Sequence, residues 1–253
     1  MVPLMPLTTT DALASAAPQT PKRAVHYPDS DGQPMSDNTL QYQYIVSTVA
    51  GFQELYAGRG DVFVAGDLLW YPVEGDNVTR AAPDALIAFG RPPGHRGSYK
   101  QWEEGGIAPQ VVFEITSPGN RLADRNRKLA FYDEYGVEEF YQYDPDRGDL
   151  AGWLREGGRL RPIAEVDGWA SPRTGVKLAL HDGMLILTRA NGRQFLSYDE
   201  LIEQRTLVET ERQRTERERE RADSERERAN SERQRAEKMA AKLRELGVDP
   251  GSL

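Results

Sequence analysis

Residues 198–246 contain neither proline nor glycine, and Glu and Arg dominate them. Such a stretch has too little apolar surface to join a packed core. The pattern T-ERERER-A-DSERER-A-NSERQR-A returns every seven residues, with Thr215, Ala222, Ala229 and Ala236 in one register. Glu209–Arg212, Glu211–Arg214, Glu216–Arg219, Glu218–Arg221, Glu225–Arg228 and Glu232–Arg235 stand three residues apart. Each pair adds about 0.2–0.5 kcal/mol to an isolated helix. A coiled coil needs large apolar residues at two heptad positions; here one position is small and the other charged. We therefore expect residues 201–253 to carry one solvated, salt-bridged helix roughly 70 Å long. A weak coiled coil is the alternative, and the helix could recruit a protein partner. The fold has to be sought before residue 201.

Residues 1–37 are rich in Pro, Ser, Thr and Asp and are expected to be a disordered leader. They lack a basic start and carry prolines in their only apolar part, which argues against a signal peptide. The chain has no cysteine, so disulfides and thiolate metal sites are excluded and a cytoplasmic location is expected. Its three histidines lie far apart without ligand spacing. No apolar run reaches the ~20 residues that span a bilayer, and no membrane partner is expected.

Between these ends, residues 38–200 alternate in pattern. Tyr42, Ile45, Val46, Val49 and Phe52 recur at helical spacing after a capping Asn38 or Thr39. Residues 61–71 read as one strand, bent or bulged at its glycine, and DALIAF (84–89) as a short strand headed by Asp84. A Gly/Pro/Arg loop over 90–109 leads into QVVFEIT (110–116). Residues 120–135 read as a helix stopped by Gly136. EFYQY (139–143) is a further strand. Hairpins follow around Glu156-Gly157-Gly158 and His181-Asp182-Gly183. This order describes an α+β or mixed α/β domain on one central sheet with few helices.

Glu114 stands alone in an apolar run, and a carboxylate there is costly unless it is paired or binds something. If the strands of Asp84 and Glu114 pair antiparallel, both carboxylates reach the same end of the sheet. With the backbone carbonyl of Ile115 they make an all-oxygen site suited to Mg2+, with Mn2+ as a substitute. Lys128 shares a helix face with Asp124 and Tyr132. It is placed to orient an attacking water or to stabilise charge developing on a phosphate. The net charge is −8, yet the tail from 209 to 238 is neutral. Between Arg91 and Lys128 seven bases face four acids.

Pro83-Asp84, then Phe113-Glu114-Ile115-Thr116-Ser117-Pro118, then Lys128 with Tyr132, Gly136-Val137 and Asp144-Pro145 resembles the Uma-two family of restriction-endonuclease-like proteins. That group belongs to the PD-(D/E)XK nuclease superfamily. The resemblance covers residues 40–198, and the Glu/Arg-rich tail closing in LRELGVDP is similar to tails of many members. It implies a restriction-endonuclease-like core, a central mixed sheet flanked by helices, and metal-dependent cleavage of DNA phosphodiesters, often by a homodimer. Asp84 matches the Asp of the PD motif and Glu114 the second acid. The position two after Glu114 is Thr116 where the superfamily has lysine. In families of this kind the lysine has moved to the next helix, where Lys128 stands. An acid from the first helix often joins such sites; Glu54 is the candidate, and Asp67 competes with it. Arg96, Lys100, Arg121 and Arg125 are the candidates for gripping the DNA backbone.

The bland readings are a turn residue for Asp84, an acid paired with a buried arginine such as Arg125 for Glu114, and a surface lysine for Lys128. Only the joint pattern outweighs them. A second function class stays open: a non-catalytic binding module on a nuclease fold, with the helical tail recruiting a partner.

Overall fold

The computed structural model describes residues 25–30, 32, 34–117 and 122–246. Its elements are α1 (Thr39–Leu55), β1 (Val62–Ala65), β2 (Trp70–Tyr71), β3 (Ala85–Phe89), β4 (Tyr99–Lys100), β5 (Val111–Ile115), α2 (Leu122–Glu134), β6 (Glu139–Asp144), β7 (Asp149–Glu156), β8 (Arg159–Pro162), β9 (Lys177–His181), β10 (Met184–Thr188) and α3 (Tyr198–Glu245). Six of the strands form one mixed sheet in the order β1-β3-β5-β6-β7-β8. The expected α/β architecture, a central mixed sheet with flanking helices and a long C-terminal helix, is the one found.

Only β5 and β6 run parallel; the other neighbours in the sheet are antiparallel. A parallel pair cannot be closed by a tight turn and needs a crossover. Here the crossover is α2, which brings Lys128 over the sheet.

Side chains alternate across the sheet with the two-residue period of a strand. Leu86, Ala88, Val112 and Phe140 face α2 and pack with Trp70, Tyr99, Tyr132 and Val137. Ala85, Ile87, Val111, Phe113, Ile115, Tyr141 and Tyr143 face the other way. They pack with Ile45 and Phe52 of α1 and with Leu178, Leu185 and Leu187 of the β9–β10 hairpin. By this parity Asp84, Glu114 and Gln142 belong to the α2 face.

Residues 61–71 do not form one bent strand. The chain breaks at Gly66-Asp67, where Asp67 takes a φ of 49° and its N–H donates to the Pro83 carbonyl at 2.9 Å. A Cβ on Gly66 would lie 2.7 Å from Val49 Cγ2 and 2.9 Å from the Asp84 carbonyl oxygen. The glycine therefore lets the chain after β1 pass close against Asp84, the residue that precedes β3. β2 leaves the main sheet and pairs in parallel with β4, a strand inside the stretch expected to be a loop.

The leader reading also changes. Tyr71 Oη donates to the Pro28 carbonyl at 2.7 Å, Asn77 Nδ2 donates to the His26 carbonyl at 2.9 Å, and the Tyr27 ring meets those of Tyr71 and Trp102. The domain therefore begins before residue 38. The rest of the expected leader, residues 1–24 together with 31 and 33, lies outside the described residues.

α3 opens with a capping box: Ser197 accepts from Glu200 N–H and Glu200 answers to Ser197. None of its 48 residues is buried. Its ion pairs are Arg214–Glu218 and Arg233–Glu237 at four-residue spacing and Lys242–Glu245 at three. The six expected Glu-to-Arg pairs are not made. No helix among the described residues is long and apolar enough to cross a membrane.

Candidate active site

The register of β3 against β5 sets Ala85 opposite Phe113, so one step further Asp84 stands beside Glu114. The parallel register of β5 and β6 sets Glu114 beside Gln142. Asp84, Glu114 and Gln142 thus form a row across three adjacent strands at one end of the sheet. All three are buried, at 7%, 3% and 7% exposure. They line a cleft with Gln41, Ile115, Thr116, Asp124, Arg125, Lys128 and Phe140. Its free space, about 30 Å³, suits a single ion or water.

Both Glu114 oxygens are engaged from α2. Lys128 Nζ lies 2.5 Å from Oε2, and Tyr132 Oη donates to Oε1. Lys128 and Tyr132 are one helical turn apart, so a single helix face delivers both. Burial alone would lower the Lys128 ammonium, but the charges of Glu114 and Asp84 outweigh it and raise it above its ordinary value. Burial, reinforced by Glu114, pushes the Tyr132 phenol well above its usual range. Lys128 is cationic and Tyr132 a neutral donor at neutral pH.

Asp84 Oδ2 accepts the Ile115 N–H at 2.6 Å, and its carboxyl stands next to that of Glu114 across the β3–β5 pair. Burial first, and the Glu114 charge second, push the Asp84 carboxyl well above the usual carboxylate range. Two carboxyls so placed share a proton or a cation. Gln41 from the first turn of α1 donates to the Ile115 carbonyl at 2.7 Å, the oxygen expected as a third metal ligand; that oxygen retains a second lone pair. No cluster of three or more Asp, Glu, His or Cys able to hold a metal occurs among the described residues.

Glu139, on the opposite face, is a contrasting acid. It is fully buried and accepts from Tyr141, from Ser171 and from the Arg173 N–H, all neutral donors within the fold. Glu114 instead opens onto a cleft beside a second acid and a cation.

Glu54 is not brought to the cleft. Gln41 marks the end of α1 at the cleft, and Glu54 lies 13 residues on, about 20 Å along the axis. There it pairs with Arg189 at 2.7 Å and Arg193 at 3.2 Å. Asp67 is near enough for its charge to raise Lys128, although it does not line the cleft.

The expected backbone-gripping residues separate. Arg125 lines the cleft and has no ion-pair partner among the described residues. Arg96 sits over the Phe63 ring at 3.9 Å and pairs with Glu104 at 2.5 Å. Phe63 opposes Ala88, four residues along β3 from Asp84, so Arg96 pins the 90–109 loop at the far end of the sheet. Lys100 pairs with Glu103 at 3.3 Å. Arg121 lies outside the described residues.

Sequence reasoning passed over Gln41 and Gln142. Neither stands out in sequence, since a glutamine carries no charge and sits here among aromatic and aliphatic neighbours. Tyr132 was legible as a residue sharing a face with Lys128 and as part of the family motif, but not as a donor to Glu114.

No match was found among curated proteins. Among solved structures, the chain resembles a "putative nuclease belonging to DUF820" from Anabaena variabilis at 14% identity and a TM-score of 0.41, over 65% of this chain and 80% of that one. The family model Uma2, described as "Putative restriction endonuclease", matches residues 16–174. That span includes the whole Asp84–Glu114–Gln142 row and α2, and the chain belongs to the Uma2 family.

Proposed function

We propose that this protein is a divalent-metal-dependent DNA endonuclease whose site is the Asp84–Glu114 pair with Lys128. The observation that carries the reading is two buried carboxyls side by side on adjacent strands and lining one cleft, with an ammonium on one of them. The donor set fits a hard dication: two carboxylates and one carbonyl with a spare lone pair, all oxygen. Asp84 and Glu114 would hold Mg2+ or Mn2+, with Ile115 O as a further ligand. When bound, the ion supplies Lewis-acid polarisation of the phosphate and lowers the pKa of water.

The chain's own groups do the rest. Tyr132 and Lys128 fix the Glu114 carboxylate in one orientation. Lys128, kept charged by its acidic neighbours, donates to the attacking water and to oxygens that gain charge at phosphorus. The water oxygen bonds to phosphorus and gives one proton to solvent, and the bond to the leaving oxygen breaks as that oxygen takes a proton from solvent to leave as the alcohol. Arg125 grips a neighbouring phosphate, so binding falls as salt rises.

The test is a plasmid-cleavage assay with Mg2+ or Mn2+, paired with metal titration of the full chain. Wild type should bind the ion and cleave, and Glu114→Ala should do neither. Equal rates for the two proteins would overturn the enzymatic reading. One observation favours a second reading, a non-catalytic module on a nuclease fold: both Glu114 oxygens are already satisfied within the chain. It predicts that neither ion binds.

A further inference from the structure

Gln142 is more than nine-tenths buried, lines the same cleft as Glu114, and its side chain makes no hydrogen bond to any described residue. Its amide is not among the side-chain atoms sealed from solvent without a partner, so the polar end is open to the cleft, and a side chain this buried that keeps an unpaired amide there calls for an explanation. Packing does not provide it. On β7 the residue beside Gln142 is Ala151, which leaves the amide unopposed on that side, and on β5 the neighbour is Glu114, whose oxygens are taken. A leucine or methionine would fill this position without placing a polar group on the cleft.

We propose that the Gln142 amide is a substrate-orienting donor, its NH2 hydrogen-bonding a non-bridging oxygen of the phosphodiester during cleavage. The inference rests on the nuclease reading above and adds a residue to it. Gln142 is separated from Asp84 by Glu114, so it stands outside the carboxylate pair that would share a cation, yet one strand spacing from it, about 4.8 Å. A group there meets the phosphate and leaves the metal's ligand set alone. Its neutrality matters: a third carboxylate in the row would repel the phosphate, while an amide presents two N–H donors and adds no charge. Arg125, on the same cleft, provides the charge that draws the phosphate in; Gln142 provides direction.

The experiment uses the full chain as wild type, Gln142→Met, Gln142→Glu and Glu114→Ala. Cleavage of supercoiled plasmid with Mg2+ is followed at single turnover, Mn2+ binding is measured without DNA, and thermal unfolding is recorded for each. Gln142→Met should cleave about 100-fold more slowly, the loss that follows removal of one such donor. Its Mn2+ affinity and its Tm should stay at the wild-type values, because the amide makes no hydrogen bond within the described residues that the change would break. Gln142→Glu keeps the size and should be at least as slow. Wild-type rates in Gln142→Met, where wild type outpaces Glu114→Ala, would overturn this inference and leave the nuclease reading standing. A rate loss in Gln142→Met that comes with a lower Tm and weaker Mn2+ binding makes Gln142 a packing residue and also overturns it. A wild type no faster than Glu114→Ala removes both.

Discussion

Lys128 on α2 and Glu114 on β5 form an ion pair of 2.5 Å across the one parallel crossover of the sheet. The pair ties the helix to the strand it follows and leaves an ammonium at the mouth of the cleft. Removing the cation by Lys128→Met should slow cleavage about 100-fold or more. Mn2+ should bind at least as tightly, because the charge repelling the ion has gone. The stability cost should be about 1–2 kcal/mol, discounted because 37% of the Lys128 side chain faces water. Metal titration, cleavage kinetics and melting on one preparation check all three; weaker metal binding would contradict the assignment.

The Asp84 carboxyl is held well above its usual range by burial and by Glu114. A carboxyl raised in the folded state stabilises the fold fully below its unfolded value, about 3.9. That stabilisation is lost as pH rises through the folded value. Metal-free protein should therefore lose Tm as pH rises from 4 toward 8. Asp84→Asn, which mimics the protonated form, should flatten that slope and melt higher than wild type at the upper end. Added Mg2+ should stabilise wild type more as pH rises, since it takes the place of the proton. An unchanged slope in Asp84→Asn would place its origin elsewhere.

Arg155 holds the end of α2. Its guanidinium donates to the carbonyls of Tyr132, Asp133, Val137 and Gly158 and pairs with Asp133 at 3.5 Å. Arg155→Ala strands those carbonyls and should cost about 3 kcal/mol, a fall in Tm of about 6–12 °C for a domain of this size. Arg155→Lys should recover little, because one ammonium cannot serve a fan of carbonyls. A calorimetric scan of the three proteins decides it.

Gly51 of α1 lies under the Phe195 ring. A Cβ at this position would fall 2.0 Å from Phe195 Cδ2, and that ring also packs edge-on against Phe52. Gly51→Ala gains helix propensity but should still be destabilised by about 1–3 kcal/mol. The double variant with Phe195→Ala should lose less than the sum of the two single changes. Strict additivity would show that the contact is absent.

α3 contributes no buried residue. Truncation after residue 208 should lower the far-UV helical signal in proportion to the residues removed and leave the domain's Tm unchanged. A lower Tm would mean that the distal helix folds back onto the sheet.

Much of the fold could be read directly because apolar pattern and backbone agree. β5 is apolar apart from Glu114, and the alternation in β6 sorts its aromatics to two faces. The Asp84–Glu114 pairing could be read for the same reason: antiparallel strands with an acid at the start of one and near the end of the other put both at one sheet end. β4 could not, since a two-residue strand held by backbone hydrogen bonds to β2 leaves no periodic trace. Nor could the docking of Tyr27, a single aromatic in a polar stretch. Glu54 was misplaced because helical spacing shows which face of α1 is buried and not which end of it meets β5. Gln142 was hidden because its place on the cleft comes from register alone: parallel pairing sets it beside Glu114.

The length of α3 governs how the molecule moves through solvent. A rod of about 70 Å is attached to a domain whose radius of gyration should be about 15 Å, and friction scales with the longest dimension far more than with mass. One chain of 28.4 kDa should emerge early from a sizing column and sediment slowly, as a larger object would. Light scattering, which counts mass and ignores drag, would then report a single chain in the same peak.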